Sequence, residues 1–232
     1  MKIKLALLCI LIPLVSSAQT TGVLSRNAVG YIRVDLQKGE MRILTYPFLC
    51  LSTNNLDPTP MNTMYFNTVP PGTCIYLWDA AASMYRSEIL VSNRVSGLKW
   101  MPNKNLLTPG RGFWMKIPAF APSNQYSIYF MGEIPDDYTA PTTTVEVLPG
   151  MNLLGYPYPT EAVWTNLNIA KTASIGDVIY TFTNGSYHSS ACITGPRWIP
   201  GTLTLHPGEG FWYKSKSGTT RSWEEPKPYT WP

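Results

Sequence analysis

Apolar residues along this chain fall in short runs cut by turn residues, the pattern of strands rather than of long helices. Residues 29–36 are rich in β-branched and aromatic residues and stop at Lys38-Gly39. Ile75-Tyr76-Leu77-Trp78 is a short apolar run after Pro70-Pro71-Gly72, and Tyr126-Ser127-Ile128-Tyr129-Phe130 alternates before closing at Gly132. Residues 178–182 and the run from Tyr187 onward flank Asn184-Gly185, a strong hairpin signal. Ala80-Ala81-Ala82 and residues 161–170 each read as a helical turn. The 17 Gly and 21 Pro residues exclude a bundle of long helices, and the 8 Trp, 14 Tyr and 7 Phe favour strands.

The same blocks occur twice, in the same order. Ile43-Leu44-Thr45-Tyr46-Pro47-Phe48 matches Leu153-Leu154-Gly155-Tyr156-Pro157-Tyr158. Gly72-Thr73-Cys74-Ile75-Tyr76-Leu77-Trp78 matches Gly176-Asp177-Val178-Ile179-Tyr180-Thr181-Phe182, and Trp100-Met101-Pro102 matches Trp198-Ile199-Pro200. Pro109-Gly110-Arg111-Gly112-Phe113-Trp114 matches Pro207-Gly208-Glu209-Gly210-Phe211-Trp212. The expectation is an all-β chain of two tandem modules, each a β-sandwich or barrel of five to seven strands, with pseudo-symmetric packing and two independent beads both open. Residues 1–18 are assigned to a signal peptide, 19–135 to the first module, 136–144 to a linker and 145–232 to the second.

Lys2 and Lys4 precede an apolar stretch that ends in Ser16 and Ala18, the order of a secretory leader too short to span a bilayer. Cleavage after Ala18 removes both lysines and lowers the net charge from +4 to +2. No later apolar run is long enough to cross a membrane, so the expected mature chain begins at Gln19 and is secreted or held at the cell surface. It would retain Cys50, Cys74 and Cys192, which permit at most one intramolecular disulfide, with buried free thiols the favoured reading.

The segment from Asn152 to Pro159, the Ile179-Tyr180 strand and Pro207-Gly208-Glu209-Gly210-Phe211-Trp212 together resemble a β-module found in uncharacterised secreted bacterial proteins. Phe130-Met131-Gly132-Glu133-Ile134-Pro135 is similar to the ending of that module, and residues 29–34 to its opening strand. The resemblance covers nearly all of the mature chain in two copies. It departs at Thr45, where Gly or Ala is usual, at Arg111, where Glu is usual, and at Trp223-Glu224-Glu225-Pro226. It implies secretion and a β-rich module, and carries no catalytic residues with it.

Candidate chemistry is sparse. The two Gly-x-Gly turns open strand-like rather than helical segments and lack Gly-Lys-Ser/Thr, so Gly110, Gly112, Gly208 and Gly210 read as structural turn or bulge glycines. His188 and His206 belong to no nucleophile motif, and Asp136-Asp137 and Glu224-Glu225 are adjacent rather than facing pairs. No catalytic residue, cofactor or metal is therefore expected, and a +2 chain without Lys/Arg clusters argues against nucleic acid. The matched tryptophans read as core. Trp223, Tyr229 and Trp231 read as a capping strand or an exposed aromatic tail and are the candidate contacts for an extracellular glycan or another surface protein. The favoured reading is a secreted non-catalytic β-repeat protein for extracellular structure or cell-surface interaction. A carbohydrate-binding module using exposed tryptophans is the alternative, and a secreted enzyme the third.

Overall fold

The computed structural model describes residues 28–49, 59–60, 69–95, 97–135 and 141–229. The leader at residues 1–18, Cys50 and Trp231 lie outside the described residues. The chain is nearly all β. A first set of strands comprises β1 (Val29–Gln37), β2 (Met41–Thr45), β3 (Thr59–Pro60), β4 (Cys74–Asp79), β5 (Met84–Asn93), β6 (Gly97–Met101), β7 (Leu106–Leu107), β8 (Gly112–Lys116) and β9 (Gln125–Glu133). A second comprises β10 (Thr142–Val147), β11 (Gly150–Gly155), β12 (Ala162–Val163), β13 (Val178–Thr183), β14 (Ser186–Thr194), β15 (Arg197–Ile199), β16 (Thr204–Leu205), β17 (Gly210–Ser215) and β18 (Arg221–Pro226).

In the first set, β1 pairs with β9, β3 with β7, and a five-stranded sheet runs β2-β8-β4-β5-β6. In the second, β10 pairs with β18, β12 with β16, and the sheet runs β11-β17-β13-β14-β15. Every pairing is antiparallel, and each in one set has a counterpart in the other.

Two of the expected local elements differ. Residues 80–83 form the turn of the β4–β5 hairpin, with Ser83 at φ 51°, because the cross-strand pair Asp79–Met84 closes the loop before a helical turn can complete. Residues 142–144, placed in the linker, belong to β10 and pair with Glu224–Pro226. Three consecutive β-branched threonines suit a strand better than a coil once a partner edge is available. Within residues 161–170 a 3₁₀ turn (Trp164–Asn166) leads into a single α-turn, α1 (Asn168–Lys171).

Burial explains the two strand patterns. Strands β8 and β17 are covered on both faces, which is why Phe113-Trp114-Met115 and Phe211-Trp212-Tyr213 are unbroken apolar runs. Phe113 and Met115 face a core with Ile32, Leu36, Phe48, Ile75, Trp100 and Phe130 beneath the β1–β9 ribbon. Phe211 and Tyr213 face the corresponding core with Val145, Tyr158, Trp164, Ile179, Trp198 and Trp223. Trp114 and Trp212 point the other way, into a third cluster with Ile43 and Leu153 that joins the two sheets.

That seam is nearly symmetric. Trp78 meets Trp212 edge-on at 5.4 Å between ring centroids, and Phe182 meets Trp114 in the same manner at 5.0 Å. The backbones also touch: the Thr45 N–H donates to the Gly208 carbonyl at 2.9 Å, and the Gly155 N–H to the Gly110 carbonyl at 3.1 Å. The Trp78 indole N–H adds a bond to the Met151 carbonyl at 2.8 Å. Edge-to-face aromatic pairs contribute about 0.5–1.5 kcal/mol each beyond the area they bury.

Candidate functional site

The four turn glycines divide into two classes. Gly110 and Gly208 have φ of 91° and 83°, a conformation costly for any residue with a Cβ. Gly112 and Gly210, expected at the same kind of turn, instead begin β8 and β17 outside the left-handed region. Their requirement is spatial. A Cβ on Gly112 would lie 2.5 Å from the Leu154 carbonyl oxygen, and one on Gly210 would lie 2.6 Å from that of Leu44. Both are points where one sheet's backbone approaches the other's.

Of the C-terminal aromatic residues, Trp223 lies on the strand β18 and Tyr229 beyond it. Trp223, expected as a surface contact, is only 2% exposed. It packs near Phe211 and donates its indole N–H to the Glu225 carboxylate at 2.7 Å. Alternation along β18 turns Trp223 and Glu225 inward and leaves Glu224 outside. Tyr229 packs its ring on Tyr158 at 5.9 Å and donates its hydroxyl to the Pro135 carbonyl at 2.6 Å, so it ties the end of the chain to residue 135. Trp100, Trp114, Trp164, Trp198 and Trp212 are buried, and Trp78 alone among the described tryptophans is partly exposed.

Buried carboxylates hold loops. The Asp177 side chain accepts bonds from the Ser174 and Lys216 N–H groups, the Tyr213 hydroxyl at 2.5 Å and Arg221 Nη2 at 2.9 Å. Burial, followed by the bond to Asp177, pushes the Tyr213 phenol well above its ordinary pKa. Both Asp177 oxygens are used by these donors, so the carboxylate serves as a structural clamp, although Arg221 Nε is buried without a partner. Glu88 is likewise fully buried and accepts the N–H groups of Asn103, Lys104 and Asn105 together with the Asn105 side-chain amide.

The loop fixed by Glu88 forms one side of an open groove of about 550 Å³. The opposite wall is the end of β4 and the start of β5, and the lining includes Trp78, Asp79, Arg86, Lys104, Leu106 and Arg111. Asp79 holds Arg86 through Nε at 3.0 Å and Nη2 at 2.6 Å, and caps the hairpin by accepting the Ala82 N–H. The bond to Arg86, then that from Ala82, lowers the Asp79 pKa below its ordinary value. Lys104 and Arg111 are exposed and have no ion-pair partner among the described residues. Beyond Arg111 the groove continues into a smaller recess against the second sheet, lined by Glu146, Asn152 and Leu154.

Three cations far apart in sequence meet here because the β4–β5 hairpin, the loop after β6 and the turn before β8 all end at one corner. The visible signal was Arg111, the departure from Glu within the Gly-x-Gly turn. Nothing in the spacing marks Arg86 or Lys104 as its neighbours. Among the described residues no group of three or more His, Cys, Asp and Glu is placed to hold a metal, and Cys74 and Cys192 are free thiols. No described helix is long and apolar enough to cross a membrane. Comparison with protein-family models, curated proteins and solved structures gave no match.

Proposed function

We propose that the chain is a secreted, non-catalytic protein of the extracellular space or cell surface, built from two tandem copies of one β-module of about a hundred residues. The observation that carries this reading is the one-to-one correspondence of strand pairings in the two sets, together with the seam that joins them. Aromatic residues, glycines and buried carboxylates are committed to architecture: Trp114 and Trp212 to the seam, Gly112 and Gly210 to backbone approach, Glu88 and Asp177 to loops. The leader-like residues 1–18 and the resemblance to secreted β-modules support the extracellular setting. Carbohydrate recognition through exposed tryptophans has less support, since the tryptophans at 100, 114, 164, 198, 212 and 223 are all buried.

The test is expression of the full chain with a C-terminal tag in a bacterial host, followed by fractionation, N-terminal sequencing and a broad screen for hydrolase and transferase activity. The expected product is exported, begins at Gln19 and turns over no substrate. Exported material that keeps Met1 would remove the leader, and turnover abolished by one side-chain substitution would remove the non-catalytic reading.

A further inference from the structure

The groove beside Trp78 concentrates positive charge that the fold itself leaves unused. Asp79 neutralises Arg86, but Lys104 and Arg111 stand without a counter-ion among the described residues. The loop bearing Lys104 is held rigid by three backbone N–H bonds to the buried Glu88, so little freedom remains to be lost when a ligand arrives. Strand β4 is paired on one side by β5 and on the other by β8, so its wall offers no open backbone edge to an added peptide strand. A nucleic acid would need a longer basic track than three cations provide. What the lining does offer is an indole, the apolar Leu77 and Leu106, the polar Asn105 and Thr108, and two free cations. A ligand matching all of these has an apolar C–H face, hydroxyl groups and an anionic substituent.

We propose that this groove binds an acidic polysaccharide through a carboxylate or sulfate substituent held by Lys104 and Arg111, an inference that rests on the extracellular reading above. The cations of the groove are not repeated at the matching positions of the second set. The register of β13 and β14 puts His188 opposite Thr181 where β4 and β5 put Arg86 opposite Leu77, and Glu209 stands in the turn where the first set has Arg111. One basic site per chain, for an acidic ligand, follows. Glu146 in the adjoining recess is the opposing charge, and its removal strengthens binding.

Titration calorimetry of the full chain at low salt tests this, with oligogalacturonate as the carboxylate probe, sulfated dextran as the sulfate probe, and neutral dextran and poly-glutamate as controls. The expected result is one site for an acidic glycan, no binding of neutral dextran, and weaker binding as salt rises. Lys104→Ala combined with Arg111→Glu lowers affinity at least about tenfold at an unchanged melting temperature, since both side chains are exposed. Should that pair melt lower, Lys104→Gln and Arg111→Gln singly must each still weaken binding. Which probe binds distinguishes carboxylate from sulfate. Failure of both acidic probes, undiminished binding by the variants, or equally tight binding of poly-glutamate overturns the proposal. Correct export with no glycan binding defeats the groove alone, whereas release of reducing ends from a bound glycan defeats the non-catalytic reading alone.

Discussion

Replacing Gly155 by alanine places two opposing effects at one position. Gly155 lies outside the left-handed region, so restricting its unfolded-state freedom should favour folding by about 0.4–1 kcal/mol. Against this, the added Cβ would sit 2.2 Å from the Cβ of Thr45, 2.3 Å from its Oγ1 and 2.6 Å from its Cγ2. Thr45 has nowhere to go: it is 1% exposed, its N–H is bound to Gly208, and its hydroxyl donates to the Arg111 carbonyl at 2.8 Å. Overpacking of this kind costs about 1–3 kcal/mol, and giving up the hydroxyl bond costs about 1 kcal/mol more. The clash therefore wins, with a net loss of about 1–3 kcal/mol. At roughly 2–4 °C per kcal/mol for a chain of this size, Gly155→Ala should melt roughly 2–12 °C lower. Calorimetric melts of Gly155→Ala, Thr45→Gly and the double variant form a cycle in which the double variant recovers part of the loss. An unshifted Gly155→Ala melt, or costs that simply add to within about 0.5 kcal/mol, would refute the seam geometry.

Gly110→Ala and Gly208→Ala should each cost at least about 1 kcal/mol, because both sit at positive φ, and Gly110→Ala should be the worse since its Cβ would also lie 2.2 Å from Val145 Cγ2. Thermal melts that rank the two in the other order would count against that contact. Burial pushes the Glu225 carboxyl above its ordinary value of 4.5, although Trp223 and Asn168 both donate to it. The folded chain thus holds the proton to higher pH than the unfolded one, and this group's contribution is full below the ordinary value and lost as pH rises through the raised one. Both donors reach the single oxygen Oε2, which an amide oxygen can replace, so Glu225→Gln should keep its stability as pH climbs from about 4 to 7 while the parent loses some. Parallel curves for the two proteins would contradict this.

Much of the fold was legible because burial on one or two faces writes itself into the chain. The strand at Phe113-Trp114-Met115 and the hairpin at Asn184-Gly185, with φ of 53° and 76°, are where the pattern puts them. The threonines at 142–144 misled because a polar β-branched run reads as linker until β18 supplies its partner. Trp223 reads as either a capping strand or an exposed tail because prolines and charges lie nearby, and alternation along β18 turns it inward. The seam was hidden for a different reason: an aromatic residue buried against its own core and one buried against the opposite sheet look alike in sequence. The groove was hidden because charges gathered from three separate turns leave no local signature.

The ribbons β1–β9 and β10–β18 determine how the chain would bear tension. Val29 stands opposite Glu133, and Thr142 opposite Pro226, so the entry and exit of each ribbon lie at the same end. A pull applied at residues 28 and 229 first breaks the bond from the Tyr229 hydroxyl to the Pro135 carbonyl and then bears on these two pairs. It loads backbone bonds singly, from that end inward, as a zipper is loaded, while the five-stranded sheets stand off the direct line of force. A protein tethered by both ends to cell and surroundings would therefore yield early and in small steps. Its outer ribbons would lengthen before the aromatic seam was strained, making them a shock absorber in front of a stiff centre.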